Sequence, residues 1–327
     1  MRLRRFILGM LAGCLLAPTL ATAQDRYPSK PVRLVVPFAV GGATDIMARI
    51  VGQRMGELLG QTFVVENKAG AGGNLGSDFV AKAAPDGYTI LMASASTHGA
   101  NPALYKKFPY DPVKDFIALG ALGINPSAFG VANSVPAKDV QSLIALVRAN
   151  PGKYSFGSGG VGSILHLCGE QFKVRAGGLD IEHVPYRGSG PMMNDLAAGQ
   201  LPMAFDVLPT ILPQIQAGTV RALANGAAVR ASQLADLPTV QEQGVPGYEC
   251  YSWGILFAPA KTPAPIVTTL HQALVTALAE ETVIKRLRDT GMDVFQPPRT
   301  LEQSDAFLRT EVAKWAAIVK ETGIQID

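Results

Sequence analysis

Two glycine-rich turns, one in each half of the chain, join an apolar strand segment to an amphipathic helix segment. The first turn is Phe38-Ala39-Val40-Gly41-Gly42, followed by Thr44 and Asp45, and the second is Gly157-Ser158-Gly159-Gly160-Val161-Gly162-Ser163. Backbone N–H groups at the start of a helix have no partner within it, and the helix dipole favours negative charge there. Each turn is therefore a candidate anion site, and two such turns from two half-molecules can clamp one anion between them.

The rest of the chain alternates apolar strand segments with amphipathic helix segments, which predicts an α/β fold with mostly parallel sheet covered by helices. About 300 residues are more than one hydrophobic core usually serves, which favours two domains. We predict a first domain over residues 24–124 plus 252–327 and a second over residues 125–251. Two connecting strands then form a hinge, with the ligand cleft between the domains. The first of these connections is expected to be interrupted at Asn125-Pro126, which separates two short strands.

The N-terminal segment has the pattern of a secretory signal. Three arginines within residues 2–5 precede the apolar run Phe6–Leu20, and Ala21-Thr22-Ala23 is an A-x-A cleavage site. The run is too short for a stable membrane-spanning helix, which needs about 20 residues. We therefore predict a signal peptide over residues 1–23 and a periplasmic mature protein. The alternative is a lipoprotein box at Leu11-Ala12-Gly13-Cys14 that lipidates Cys14, but the apolar run continues past this cysteine.

The charge balance excludes one class of partner. The sequence has 29 Lys and Arg residues and 26 Asp and Glu residues, and three of the arginines lie in the leader. The mature chain is therefore neutral and has no overall field that would attract nucleic acid or an anionic membrane surface. Affinity for an anion has to come from placed N–H groups and a few side chains.

The motifs of enzyme chemistry are incomplete. Gly157-x-Gly159-x-x-Gly162 resembles a dinucleotide fingerprint, but the nearby acid, Glu182, lies within the next strand and does not close it. No lysine follows a glycine turn in Walker spacing, and no G-x-S-x-G motif occurs. His166 and Glu170 are one helical turn apart, yet no second cluster completes a metal site. We predict no metal, no cofactor and no catalytic residue, hence capture of a ligand; an enzyme acting on a carboxylate is the weaker alternative.

Side chains near the two turns are candidate ligand contacts. Arg187 directly follows a strand, and its guanidinium can grip a carboxylate through two parallel hydrogen bonds, although a solvated turn arginine explains it equally well. Asp206 closes an apolar strand and either accepts hydrogen bonds from ligand hydroxyl or amino groups or caps the helix that follows. Three further candidates are Ser94, Thr97 and His166.

Other polar residues have structural interpretations. His98 either lines the pocket or caps its own loop, whereas His183 and His271 are expected to be structural or exposed. A third glycine turn, Gly70-Ala71-Gly72-Gly73, is best explained as a tight connection, with Asn74 as the N-cap of the next helix.

Two cysteines remain after the leader, Cys168 and Cys250. An oxidising periplasm permits a disulfide between them, provided that their Cα atoms lie within about 7 Å. Both have apolar neighbours, which is typical of buried free thiols. We favour two unpaired thiols.

Several short motifs are spread along the chain. Those in the first 120 residues are Pro37-Phe38-x-x-Gly41-Gly42-x-x-Asp45, Glu66-Asn67-Lys68-x-Gly70-Ala71-Gly72-Gly73, Pro85-Asp86-Gly87-Tyr88-Thr89, Asn101-Pro102-Ala103-Leu104-Tyr105 and Tyr110-Asp111-Pro112-x-Lys114-Asp115-Phe116. The later ones are Val184-Pro185-Tyr186, Asp236-Leu237-Pro238-Thr239 and Phe257-Ala258-Pro259. Together they resemble the Bug-type substrate receptors of tripartite tricarboxylate transporters, from about Tyr27 to the C-terminus.

The resemblance implies a type II periplasmic-binding-protein fold and a receptor that presents one small organic carboxylate to an inner-membrane permease. In that family the two glycine turns hold the carboxylate, partly through ordered waters, which carries over to Phe38–Asp45 and Ser158–His166. Val40 stands where many relatives have proline. Dicarboxylates, tricarboxylates, acidic amino acids and aromatic acids all fit this prediction, and a monomer suits a diffusing receptor. The alternative is an extracytoplasmic sensor that passes its closed form to a membrane histidine kinase.

Overall fold

The computed structural model describes residues 27–327, so the predicted signal peptide and Cys14 lie outside the described residues. The strands are β1 (Val32–Val36), β2 (Phe63–Asn67), β3 (Thr89–Ala93), β4 (Phe116–Ala132), β5 (Ser155–Ser158), β6 (Glu182–Pro185), β7 (Met203–Val207), β8 (Val220–Asn225), β9 (Tyr251–Pro259) and β10 (Asp293–Val294). The helices are α1 (Ala43–Leu59), α2 (Asn74–Ala81), α3 (Asn101–Leu104), α4 (Val140–Arg148), α5 (Ile164–Arg175), α6 (Ser189–Ala197), α7 (Leu208–Gln216), α8 (Ala264–Ala279), α9 (Glu281–Asp289) and α10 (Leu301–Thr322). A π-helix spans Ala95–Ala100. None of the helices in residues 27–327 has the length and apolar character needed to cross a membrane.

The strands form a sheet with two parallel parts, in the order β2-β1-β3-β9-β4-β7-β5-β6. β1 is parallel to β2 and β3, and β5 is parallel to β6 and β7. We call the part built around β1, β2 and β3 the first lobe, and the part built around β5, β6 and β7 the second lobe. β4 and β9 run antiparallel to each other and connect the lobes, while β8 and β10 pair antiparallel with β4. The prediction of a two-domain α/β fold is confirmed.

The first lobe is built on strands that are buried on both faces. In β1, the sequence Val-Arg-Leu-Val-Val leaves only Arg33 exposed, as expected for a parallel strand covered by helices on each side. One face packs against α1 and α8, with Leu34, Met47 and Leu274 in a single apolar cluster. α1 ends at Gly60, whose φ of 69° is the left-handed conformation that glycine adopts without strain.

The connecting strand β4 is unbroken, so the predicted interruption at Asn125-Pro126 is wrong. Asn125 pairs with Ser252, and Pro126 pairs with Tyr251, in the same register as Gly123 and Ile124, while two register shifts lie earlier in β4. Proline lacks an N–H group and is tolerated in a strand only where no ladder bond is needed. Pro126 lies where the neighbours of β4 change from β9 and β10 to β7 and β8, so its missing donor is accommodated. The domain boundaries at residues 124–125 and 251–252 remain predictions.

The N-cap of α2 is Gly73 and not Asn74, so that prediction is also wrong. Gly73 has a φ of 93°, a left-handed conformation that favours glycine. A side chain at Gly73 would also place its Cβ 2.5 Å from Thr97 Cγ2. Asn74 is the first helical residue, and its Oδ1 accepts a hydrogen bond from Asn101 Nδ2 at 2.7 Å. Asn74 therefore connects α2 to α3 through this hydrogen bond.

Cys168 and Cys250 form a disulfide, with their Cα atoms 5.4 Å apart, so the expectation of two free thiols is wrong. The bond joins α5 to the segment just before β9. Both residues are fully buried among apolar side chains. Apolar neighbours in the sequence are expected both for a buried disulfide and for buried free thiols, so they do not distinguish the two. Only the packing of two segments 82 residues apart distinguishes the alternatives.

Candidate functional site

The parallel strands of the two lobes point toward each other. In the first lobe Ala93, the last residue of β3, is linked through Ile255 to Ala121 of β4. In the second lobe Val207, the last residue of β7, pairs with Ser127 of β4. Both carboxyl ends therefore face the middle of β4, and ligands of open α/β sheets bind outside such ends. The starts of α1, α5, α6 and α7, which directly follow parallel strands, border this cleft.

The two lobes touch across the cleft. A side chain at Gly188, just before α6, would place its Cβ 3.8 Å from the Cβ of Ala39 in the first turn. A side chain at Gly162, in the second turn, would meet the hydroxyl of Tyr105 from the first lobe at 2.6 Å. Helices α1 and α7 are also in contact. The structure thus brings both predicted turns to one cleft.

The first turn is shaped by the carboxylate of Asp45. Its Oδ2 accepts a hydrogen bond from Gly41 N–H at 3.0 Å, and its Oδ1 accepts one from Asn67 Nδ2 at 3.0 Å. Arg49 donates to both oxygens at 2.9 Å. Burial raises the pKa of Asp45, but these hydrogen bonds outweigh it and hold the pKa below its usual value. Asp45 therefore fixes the turn, and Arg49 balances its charge.

The start of α1 is open. Its N-cap Gly42 is extended, and no side chain caps the helix. The N–H groups of Ala43, Thr44 and Asp45 therefore have no acceptor within the helix. The carbonyl of Phe38 is held by Asn67 Nδ2 at 2.9 Å, which fixes the backbone just before them. Val40 is 70 % exposed and lies at the rim of this turn.

The second turn is largely satisfied from within the protein. Ser163 Oγ accepts from His166 N–H at 3.2 Å, and Ser96 Oγ of the first lobe accepts from Ile164 N–H at 3.0 Å. Gly160 N–H donates to Ser158 Oγ at 3.2 Å. Serine hydroxyls therefore occupy two of the first three N–H groups of α5, so the start of this helix offers fewer free donors than the sequence pattern predicts. Gly159 and Val161 complete the turn, and Val161 is exposed.

Two histidines stack behind the second turn. The rings of His166 and His183 have centroids 3.9 Å apart and an interplanar angle of 18°, and His183 Nε2 lies 2.7 Å from Ser158 Oγ. Burial lowers the pKa of both, that of His183 to about 3 with smaller contributions from His166 and Lys173. Both rings are therefore neutral. The sequence analysis expected His183 to be structural or exposed, and its stacking behind the second turn depends on the pairing of β6 with β5.

Glu170, one helical turn from His166, pairs with Lys173 at 2.8 Å. Within residues 27–327 no three His, Cys, Asp or Glu side chains are grouped as a metal site. His271 Nδ1 lies 2.7 Å from the carbonyl of Leu119, which is a structural contact.

Ser94 and Thr97 lie just after β3 in the first lobe, and both are buried. Ser94 N–H donates to Thr97 Oγ1 at 3.3 Å, at the turn where the π-helix begins. A side chain at Gly73 would also meet Phe38 Cζ at 3.0 Å, so Phe38, Gly73 and Thr97 pack together. His98 faces the core instead, stacked on Phe257 at 4.5 Å, and burial lowers its pKa to about 3.

The two charged candidates differ in burial. Arg187 is exposed, one residue before Gly188, at the rim of the cleft. Asp206 is fully buried at the end of β7, and its Oδ1 accepts from Val207 N–H at 2.8 Å. It does not cap α7, whose N-cap is Val207. Burial raises the pKa of Asp206 to about 6, although Ser189, Thr210 and the Val207 N–H act in the opposite direction.

Two α/β lobes joined by crossing strands, with helix starts from both lobes around one cleft, define a two-lobed solute-binding protein. Residues 47–324 match the model of TctC, the tripartite tricarboxylate transporter family receptor, and the chain belongs to this family. It is 39 % identical over 320 residues to an Agrobacterium vitis UPF0065 protein, with 98 % of this chain and 92 % of the relative covered. It is 34 % identical to the protein BugT of Bordetella pertussis, with 92 % of each chain covered.

Solved structures share the fold over nearly the whole chain. An R. palustris protein solved with adipate has a TM-score of 0.86 and 37 % identity, over 91 % of this chain and 99 % of that one. The periplasmic binding protein BugD has a TM-score of 0.86 and 36 % identity, over 91 % and 99 %. MatC from Rhodopseudomonas palustris, with bound malate, has a TM-score of 0.85 and 34 % identity, over 90 % and 100 %. The family is one of periplasmic solute receptors and not of enzymes.

Proposed function

We propose that the protein captures a small organic carboxylate in the cleft between its lobes and delivers it to an inner-membrane permease of the tripartite tricarboxylate type. The open start of α1 carries this proposal. Three backbone N–H groups, those of Ala43, Thr44 and Asp45, lack intrahelical acceptors and lie at the positive end of a 17-residue helix. A carboxylate oxygen is the ligand group that such a position favours.

The surrounding charges permit an anion there. Asp45 is the carboxylate nearest in the sequence to the start of α1, but Arg49 neutralises it through two hydrogen bonds. The oxygens of Asp45 also accept hydrogen bonds from Gly41 and Asn67. His166 and His183 are neutral and do not add a compensating positive charge. Recognition of a carboxylate at the start of α1 therefore rests on backbone dipoles, which suits an exchange of ligands by opening and closing of the lobes.

Relatives support the same ligand class, since one is solved with adipate and another with malate. We place the ligand carboxylate at the start of α1, with the second turn closing over it. Each charge-assisted hydrogen bond contributes about 1.5–3 kcal/mol, so three contribute about 5–9 kcal/mol. Micromolar affinity corresponds to about 8 kcal/mol after association costs of at least about 4 kcal/mol. The carboxylate alone is therefore insufficient, and the other end of the ligand has to be recognised as well.

Gly42→Asp is the sharpest test of the α1 site. Gly42 has φ −77° and ψ 164°, which any residue adopts, and a Cβ there would contact Ala39 O at 3.6 Å, an ordinary distance. Aspartate is a preferred N-cap, so the variant should fold with equal or higher melting temperature. Its carboxylate would occupy the same N–H groups and repel the ligand. We expect loss of every acid-induced rise in melting temperature.

Gly42→Ala is the matched control, because it adds a Cβ without an acceptor or a charge. It should keep the melting-temperature rise produced by the acids that stabilise the wild type in a panel of organic acids and their amides. A Gly42→Asp protein that still responds to the same acids would contradict the proposal.

Delivery and location need separate tests. We propose cleavage of the signal peptide after Ala23 and a periplasmic, monomeric mature protein. Mass spectrometry of the periplasmic fraction gives the N-terminus, and light scattering gives the oligomeric state. Uptake of the identified acid should depend on the receptor and on the permease together, and Gly42→Asp should abolish it. Uptake that persists without the receptor would contradict the delivery step.

A further inference from the structure

Asp206 is the one acidic residue of β7, and it lies fully buried near the carboxyl end of this strand. The strand pairs Phe156 with Met203 and Gly157 with Ala204, so Asp206 continues this parallel register to the level of Gly159 in the second turn. A side chain at Gly159 would lie 3.8–3.9 Å from the backbone of Gly188 and Ser189. The carboxyl group is therefore placed at the same edge of the second lobe as the second turn and the start of α6.

The carboxyl group is only half satisfied. Oδ1 accepts from Val207 N–H at 2.8 Å, whereas Oδ2 is buried and has no hydrogen-bond partner within residues 27–327. The hydroxyl of Thr210, which is close enough to lower the pKa of Asp206, donates instead to Val207 O at 2.8 Å. Leaving a buried acceptor unpaired is costly, and more so when it is charged. Such a group is expected where a ligand completes its hydrogen bonding.

Asp206 is also linked to the proposed carboxylate position. The hydroxyl of Ser189, the first residue of α6, acts on the carboxyl group of Asp206 as a hydrogen-bond donor that lowers its pKa, and the preceding Gly188 approaches Ala39 of the first turn. α7 begins two residues after Asp206 and contacts α1. The open start of α1 and the unpaired oxygen therefore belong to facing sides of one cleft.

We propose that Asp206 is the second recognition group of this site and accepts a hydrogen bond from a hydroxyl or ammonium group of the ligand. The inference rests on the proposed function, since the ligand carboxylate is taken to bind at the start of α1. It names the substrate class as small carboxylic acids that carry a hydrogen-bond donor, such as hydroxy acids and amino acids. An acid without a donor leaves Oδ2 unpaired and places a second anion near it.

A series of three four-carbon diacids tests this directly. Malate carries a hydroxyl, aspartate an ammonium group, and succinate neither. Titration calorimetry on the wild type should show malate or aspartate binding about tenfold or more tightly than succinate, as expected for one hydrogen bond to a charged group. Succinate binding as tightly as both would overturn the inference.

Asp206→Asn removes the charge at nearly constant shape and should reduce the preference to about twofold or less, since an amide competes poorly for an ammonium or hydroxyl donor. Asp305→Asn, on the exposed side of α10, is the charge-matched control and should keep the wild-type preference. An unchanged preference in Asp206→Asn would overturn the inference. If Asp206→Asn does not fold, the comparison of malate and aspartate with succinate on the wild type alone tests the inference.

The two proposals fail in different ways. If no acid binds the wild type, or if Gly42→Asp still binds acids, the proposed function fails, and this inference fails with it. If acids bind and Gly42→Asp abolishes binding while donor-bearing acids have no advantage, only the role of Asp206 is wrong.

Discussion

The hydroxyl of Ser96 accepts a hydrogen bond from the backbone N–H of Ile164, with 3.0 Å between the two atoms. Ser96 lies in the π-helix of the first lobe, and Ile164 is the first residue of α5 in the second lobe. A helix start in one lobe is therefore capped by a side chain from the other. We predict that opening of the cleft breaks this bond, and that the bond therefore stabilises the closed form.

Ser96→Ala should weaken ligand binding without unfolding either lobe. The Ile164 N–H would lose its acceptor in the closed form, at a cost of about 1–3 kcal/mol, and would be hydrated in the open form. We expect roughly tenfold weaker affinity by calorimetry and a larger radius of gyration of the ligand-bound protein by solution scattering.

Ser77→Ala is the control for this variant. Ser77 is a buried serine of α2 in the first lobe, and its Oγ has no hydrogen-bond partner among the described residues. Its loss should leave affinity within about twofold, because no bond across the cleft is removed. Equal effects of the two substitutions would contradict the role of Ser96 as a contact between the lobes.

Asp45→Asn should lower both stability and ligand affinity. The carboxylate accepts hydrogen bonds from Gly41, Asn67 and Arg49, and an amide with one oxygen cannot replace them. We expect the free energy of unfolding in urea at pH 7 to fall by about 1–3 kcal/mol. Since the pKa of Asp45 lies below its usual 3.8, its stabilisation is present above that pH and is lost as the pH falls. The variant should therefore differ least from the wild type in acid.

Asp305→Asn is the matched control for Asp45→Asn, because each aspartate pairs with an arginine four residues later on a helix. The pair Asp305–Arg309 is exposed on both sides, and such pairs contribute about 0–1 kcal/mol. A similar loss in both variants would show that Asp45 acts only as a helix-surface ion pair and not as a brace for the turn.

The alternation of strands and helices was sufficient to predict the two lobes and the two turns, because burial on both faces gives parallel strands a distinct apolar pattern. The details that failed depend on distant neighbours. Ser96 caps α5 only because the lobes meet, and 68 residues separate it from Ile164. Asn74 has the residue type of an N-cap, but the left-handed Gly73 takes that position. His183 is an unremarkable strand residue until β6 pairs with β5.

Removing the disulfide should destabilise the second lobe. The bond between Cys168 and Cys250 closes a loop with a sequence separation of 82 residues, and disulfides of this kind typically contribute about 2–4 kcal/mol. The double variant Cys168→Ala with Cys250→Ala should unfold at a correspondingly lower urea concentration than the oxidised wild type. Thiol titration of the unfolded wild type should find neither cysteine free. Two titratable thiols, or an unchanged unfolding midpoint, would contradict the pairing.

Asp206→Asn should change how stability depends on pH. In the folded protein burial raises the pKa of Asp206 from 3.8 to about 6, so the protonated form is favoured. The contribution of Asp206 to the free energy of unfolding is fully present below pH 3.8 and is lost as the pH rises through about 6. A shift of this size corresponds to about 3 kcal/mol of unfolding free energy that is lost by neutral pH. Relative to the wild type, the variant should gain stability between pH 4 and pH 7.

The difference between the two proteins has to be measured, because the wild type has opposing groups. His98 and His183 have folded pKa values of about 3, below the usual 6.5, so their contribution is present above pH 6.5 and is lost as the pH falls. These histidines are present in both proteins and cancel in the difference of unfolding free energies. Urea unfolding at intervals of half a pH unit gives that difference. A difference that stays flat from pH 4 to pH 7 would mean that Asp206 ionises normally, and that its buried oxygen is hydrated in solution.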